Sequence, residues 1–204
     1  MTQSYLLKGI LIGFSIAAPV GPIGVLCIRR TLAEGRFSGL FSGLGAATAD
    51  AVYGSIAGFG LTLVSSFLLD QQSWVRLIGG CFLIYLGLKT FISRPVENVT
   101  ETVNRGLLGA YISTFFLTLT NPMTILSFAA IFAGLGLGAA TGHYTSAGVL
   151  IAGVFFGSAT WWIILSFGVS ILRRQFNRYA MRWVNRVSGL VILAFGVTAL
   201  WSLV

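Results

Sequence analysis

Apolar residues run through this chain in long, nearly uninterrupted stretches, approximately 5 to 28, 37 to 69, 74 to 92, 106 to 136, 144 to 172 and 187 to 204. Most of the charges fall in the short segments between them. Each stretch is close to or above the ~20 residues that a helix needs to cross hydrocarbon. The runs lack the alternation and tight turns of barrel strands, so the pattern predicts an all-α membrane protein with six transmembrane helices. The second run is the long one. As a straight helix at ~1.5 Å per residue it reaches ~50 Å, against a hydrocarbon core of ~30 Å. It has to tilt, bend or protrude, and Gly54, Gly58 and Gly60 mark either bend points or, as small residues at such spacing more often do, close helix packing.

Two of the runs are interrupted at matching places: Ala18-Pro19-Val20-Gly21-Pro22 in the first, and Thr120-Asn121-Pro122 in the fourth. Each break is followed by an aliphatic pair in the same register, Val25-Leu26 and Ile125-Leu126. A second correspondence is sharper: Trp74-Val75 leads to Gly80 and Gly87, and Trp183-Val184 leads by the same spacings to Gly189 and Gly196. Between these anchors, a weaker match at a shift of 108 lays Gly45 on Gly153, Asp50 on Ser158, Tyr53 on Trp161 and Gly60 on Gly168. The chain therefore divides into a first three-helix repeat at 1–93, a linker at 94–105 and a second repeat at 106–204, with helices 1 and 4 broken. Duplicated halves with Gly/Pro interruptions at corresponding positions are how membrane transporters build a site from discontinuous helices. The plainer reading is a pair of Pro kinks, which membrane helices tolerate.

Composition agrees with the membrane assignment. The 204 residues are 56% hydrophobic and 9% charged, with a mean hydropathy of +0.90, too little polar material to cover a soluble domain. The first run resembles a signal peptide up to Ala17-Ala18, but it continues to Ile28 and ends in Arg29-Arg30, the pattern of a retained helix. Cys27 and Cys81 both fall within apolar spans, which implies no disulfide framework.

The net charge of +8 raises nucleic acid as a partner, and the placement of the thirteen basic residues argues against it. Arg29, Arg30 and Arg36 lie between spans one and two; Lys89, Arg94 and Arg105 flank the next such loop; Arg173, Arg174, Arg178, Arg182 and Arg186 follow span five. Lys8 and Arg76 are left on the other side, and eleven against two is a strong positive-inside asymmetry that puts those three loops in the cytoplasm and both termini outside. Three spans per half is odd, so the halves are expected to be inverted relative to each other. In the last basic loop Arg174, Arg178, Arg182 and Arg186 recur every four residues beside Phe176, Tyr179 and Trp183. They read equally as a short interfacial helix on anionic lipid headgroups or as plain topological anchors.

Asp50 is the acidic side chain that lies well inside an apolar run. A carboxylate at that depth is costly unless hydrated, paired or protonated, so intramembrane acids usually face a cavity and serve ion or proton pathways. The alternative is a structural hydrogen bond, to a backbone amide freed at a break or to Asn121. Gly21-Pro22 and Asn121-Pro122 are the next candidates, because Pro removes an amide donor and frees a carbonyl one turn earlier. Freed carbonyls and half-helix N-termini suit the ammonium and carboxylate of a zwitterionic amino acid. Asn121 adds a side-chain donor and acceptor, while Thr118, Thr120 and Thr124 are weaker candidates, since membrane Thr tends to bond its own helix. Tyr53, Trp161 and Trp162 sit in or near span interiors and serve either as cavity lining or as packing. His143, in an external loop, has no second metal ligand nearby.

These residues carry a resemblance. The stretch APVGPIGVLCIRRTLAEGRFSGLFSGLGAATADAVYG resembles the N-terminal signature of LysE-type (lysine exporter, RhtB-like) translocators, and TLTNPMTILSF resembles their second-half Asn-Pro signature, with likeness over nearly the whole chain. The resemblance implies a small inner-membrane exporter of amino acids or related metabolites, driven by the electrochemical gradient without ATP, and carries over Gly21, Pro22, Asp50, Asn121 and Pro122. Many members have Pro-Gly-Pro-Asn where this chain has Val20-Gly21-Pro22-Ile23, and a Lys where it has Met123. Both departures make the site less polar.

The expectation is thus a secondary exporter with its site between two rocking halves and Asp50 coupling transport to protons or another ion, with no cofactor or metal. A metal-ion exporter is the alternative, disfavoured because divalent cations want several hard ligands and the spans offer one acid. An intramembrane enzyme is disfavoured by the lack of paired aspartates, His-Glu-x-x-His or a Ser-based dyad. A non-transporting subunit has no need of Asp50 or of matched breaks. The abundant glycines suit close helix contact within a protomer or in a homodimer.

Overall fold

Prolines and glycines set the helix ends. In the computed structural model, which describes residues 2–19, 21–58, 71–93, 103–134, 144–172 and 178–201, α1 (Thr2–Ala17) stops just before Ala18-Pro19, and α2 (Pro22–Glu34) opens on proline, whose missing N–H is no loss in a first turn. Gly35, at φ 109°, ends α2; its N–H bonds the carbonyls of Arg30 and Thr31 at 3.2 and 3.1 Å, a conformation that glycine adopts without strain. There follow α3 (Arg36–Gly58), α4 (Gln72–Ile92), α5 (Val103–Leu119), α6 (Pro122–Gly134), which again opens on proline, α7 (Tyr144–Leu172) and α8 (Arg178–Trp201). These eight helices, with no strand among the described residues, bear out the all-α expectation.

Both interrupted runs are broken. α1 and α2 meet at 79°, and the helices either side of Asn121 meet at 59°. Among the described residues, Thr145–Leu172 and Tyr179–Trp201 are each long and apolar enough to cross a membrane, and the bent pairs bring the number of spans to as many as four. Large apolar side chains such as Ile92, Leu108, Ile171 and Trp201 face outward, as lipid contact requires.

The structure corrects several boundaries. The helix after the first break does not end near Ile28 but runs on to Glu34, so Arg29 and Arg30 are helical residues and not loop residues. Arg30 is buried, with partners on α3 and α5. The basic segment after α7 is no separate interfacial helix from Arg178 onward: α8 continues unbroken to Trp201. The reason is visible in its buried face, where Met181, Asn185, Ser188 and Ile192 keep one helical stripe with no breaker between them. α5 begins at Val103, inside the expected linker. Val20, Gly60, the rest of the second run to 69, residues 94–102 of the linker, His143, Arg173, Arg174 and Phe176 lie outside the described residues.

Close backbone approach holds the helices together. On α1 and α7, Gly9 and Gly13 face Gly153 and Gly157 so tightly that a Cβ on Gly13 would overlap the carbonyl of Val154, and one on Gly157 the carbonyl of Ile10. This is the small-residue packing on which membrane helices rely. Gly45 of α3 lies in the same way against Tyr111 of α5. α4 and α8 cross where Gly80 meets the carbonyl of Gly196 and Gly87 that of Gly189. Gly54 is in ordinary contact with Val154, which makes it a packing position within the continuous helix α3.

Gly13→Ala is expected to destabilise the purified protein by ~1–3 kcal/mol, because the backbone has to part to admit the methyl. Gly148→Ala, in the same helix pair but with nothing within 4 Å of its Cβ position, should be neutral or stabilising by up to ~1 kcal/mol. Thermal unfolding of both variants in one detergent distinguishes them.

Candidate functional site

Asp50 lies two turns before the end of α3 and is 3% exposed, at the contact with α7. Ser158 Oγ donates to its Oδ2 at 2.7 Å, and Trp162 Nε1, one turn along α7, donates to the Ser158 oxygen at 3.1 Å. The indole occupies an acceptor site on the hydroxyl and so leaves its proton for the carboxylate. The expected partners of Asp50, a freed amide or Asn121, give way to this chain because Ser158 is directly opposite on the packed neighbour. Asp50 and Ser158 are the pair that the shift of 108 lays on one another.

Tyr53, one turn beyond Asp50, reaches the second break. A continuous helix would bond the Met123 N–H to the Leu119 carbonyl, but here Asn121 Oδ1 takes that N–H at 3.2 Å. The Leu119 carbonyl is thereby freed, and the Tyr53 hydroxyl donates to it. Asn121 is the cap of α6: its backbone carbonyl accepts from Thr124 and Ile125, and its Nδ2 donates to Thr124 Oγ1 at 2.9 Å. Thr118 and Thr120 bond carbonyls of their own helix, at Thr114 and Phe116.

The first break is built differently. Gly21 precedes α2 with no side-chain cap, and its N–H bonds the Pro19 carbonyl at 3.0 Å. A Cβ on Gly21 would meet nothing within 4 Å, whereas Pro22, Ile23 and Gly24 just beyond it are buried. Ala17 and Ile23 flank the first break, Leu117 precedes the second, and Ala46 and Ala47 lie one turn before Asp50; with Trp162 they share one buried cluster. Trp162 is thus a buried hydrogen-bonding residue, and the half-buried Trp161 stands edge-on to Phe14 with ring centres 5.4 Å apart. Among the described residues no three His, Cys, Asp or Glu side chains come together as metal ligands.

Sequence reasoning missed Ser158 and Arg30. Ser158 was visible as the counterpart of Asp50, but correspondence between halves carries no implication of contact. The signal for Arg30 was weaker still: hydroxyl residues at Ser42, Ser113 and Thr114 in otherwise apolar runs, which become acceptors for its guanidinium.

The LysE type translocator family matches residues 14–202. The chain belongs to this family. Among the LysE relatives, YcgF of Bacillus subtilis (strain 168), whose name describes an amino acid efflux protein, is 27% identical over 196 residues, covering 93% of this chain and 92% of the relative. The membrane protein YahN of Escherichia coli (strain K12) is 26% identical over 180 residues, covering 86% and 79%. No solved structure matches the chain. As a member of the LysE type translocators, the chain is a multi-pass membrane transporter with a small-molecule substrate.

Tyr53→Phe leaves the Leu119 carbonyl without its donor and should lower stability by ~1–3 kcal/mol. Asn121→Ala removes the cap and should cost ~1 kcal/mol, most of which Asn121→Ser restores, since a serine oxygen caps as well. Unfolding midpoints in detergent test both.

Proposed function

We propose that this protein is a secondary-active exporter of amino acids or related small metabolites across the inner membrane, in which Asp50 couples cargo movement to protons. The observation that carries the proposal is the Asp50–Ser158 hydrogen bond, an acid held between helices of the two halves at positions related by the repeat. An ionisable group there can bias one arrangement of the halves over another by gaining or losing its proton.

The proposed architecture is six spans in two inverted three-helix repeats. The glycine contacts support it: a shift of 109 carries Gly80 to Gly189 and Gly87 to Gly196, so it exchanges the Gly80–Gly196 contact for the Gly189–Gly87 contact, as a two-fold axis would. In the same manner α1 packs on α7 while α5 packs on α3. The basic ends of the helices then face the cytoplasm and both termini lie outside. The exposed Arg182 and Arg186, in the first turns of α8, meet anionic headgroups on that side.

Gly21, whose Cβ position meets nothing within 4 Å, and the half-helix N-terminus beyond it form the proposed seat for the cargo's carboxylate. Gly21 and Pro22 shape that seat. Asn121 and Pro122 hold the opposing break, with Tyr53 on its freed carbonyl. Trp162 orients Ser158 toward Asp50, and Trp161 lines the same region beside Phe14. The amino-acid class rests on the YcgF name and on the fit of broken-helix termini to a zwitterion.

In proteoliposomes, a panel of amino acids should include at least one whose flux rises with an imposed pH gradient. Asp50→Asn should lower that gradient-driven flux about tenfold or more while cargo exchange without a gradient persists. Undiminished gradient-driven flux in Asp50→Asn sinks the coupling role.

A further inference from the structure

Arg29 and Arg30 are adjacent on α2 and reach in different directions. Arg30, 9% exposed, donates from Nη1 to Ser42 Oγ of α3 at 2.8 Å and to the Ala110 carbonyl and Thr114 Oγ1 of α5 at 3.0 and 2.9 Å, and from Nη2 to Ser113 Oγ at 2.8 Å. Each of these hydroxyls gives its own proton to a carbonyl of its helix, at Ser38, Gly109 and Ala110, and so presents an acceptor to the guanidinium. Arg29 turns the other way: Nε donates to Asn185 Oδ1 of α8 at 3.0 Å, Nη2 to Ser93 Oγ at the end of α4 at 2.8 Å, and Nη1 pairs with Glu34 at 2.9 Å. Asn185 Nδ2 closes this group on the Ser93 carbonyl at 3.1 Å.

One turn of α2 therefore ties α3, α4, α5 and α8 together at a single end of the bundle, the end that carries the basic residues. The Arg30 part of the tie is strong in number and weak in kind. None of the four acceptors given for Arg30 is a carboxylate, and a buried cation among neutral dipoles regains its hydration when water replaces them. Loss of several good hydrogen bonds is thus offset by solvation of the charge, which is what a joint that opens and closes requires. Cys27, fully buried one turn before Arg30 and Thr31, lies behind this joint; its carbonyl accepts the Thr31 hydroxyl at 2.8 Å.

We propose that Arg29 and Arg30 form a latch that closes the cytoplasmic end of the bundle and whose release admits cargo. The proposal rests on the exporter reading above, in which cargo is loaded from that side.

The test uses full-length protein carrying Cys81→Ser, which leaves Cys27 as the one thiol of the chain. A membrane-impermeant maleimide is applied to oriented vesicles from either face. Arg30→Met should speed labelling of Cys27 from the basic face about tenfold or more, with no change from the opposite face. Arg30→Lys, which keeps the charge and loses the fork, should show a smaller rise of the same sidedness. Asn185→Ala removes the α8 partner of Arg29 and leaves Arg30 unchanged; it should act in the same direction, which provides a reading if the Arg30 variants do not fold. Labelling that stays at the parent rate in folded variants, or that rises equally from both faces as in a loosened fold, overturns the latch. No cargo is needed for this readout: a sided rise in a protein that moves no amino acid keeps the latch and removes the exporter reading.

Discussion

Hydrocarbon offers no partner to a stranded backbone group, and this constraint governs how a membrane helix can be broken. Each break here separates two helices by a few residues, yet the two are resolved by different means. At the second, Asn121 caps the new helix and Tyr53 reaches across from α3 to the freed Leu119 carbonyl, so the gap is filled from two sides. At the first, the N–H of Gly21 bonds the Pro19 carbonyl. One break is stapled from two sides and the other has no capping side chain, so the two half-helix ends differ in how their backbone groups are met.

The polar groups can meet in this way because the helices approach one another so closely. Where glycine faces glycine or a bare carbonyl, as between α1 and α7 or α4 and α8, the backbones are drawn together and short side chains suffice to bridge them. A serine hydroxyl spans the gap from α7 to a carboxylate on α3, and serine and threonine oxygens surround a guanidinium between α3 and α5. Packing of apolar surface alone offers little preference over lipid tails, so these buried polar joints fix which faces meet.

Much of this organisation is legible in the sequence, because the features that mark it act locally. Pro22 and Pro122 each open a helix because a proline suits a first turn, and the Trp74 and Trp183 registers show glycines at matching spacings without any knowledge of their contacts. Asp50 stands out because its neighbours are apolar. Helix ends and partner choice are less legible. α2 extends to Glu34 and α8 begins at Arg178 because buried residues on one face of each find neighbours, information held by other helices. Counting basic residues to orient the chain treats every arginine as water-facing, and Arg30 departs from that rule through three hydroxyls and a backbone carbonyl brought by α3 and α5.

In the proposed duplication, residues near the axis are those that meet their own counterparts, as Asp50 meets Ser158. Two identical halves would have set acid against acid at this point, and like charges at hydrogen-bond distance repel strongly away from water. Uncharged glycine contacts can occur twice without conflict, as at Gly80–Gly196 and Gly87–Gly189. A charged residue on the axis cannot. The carboxyl that α3 carries into the contact with α7 is thus tolerated because what faces it is a hydroxyl, which can give it a proton to share and brings no charge of its own.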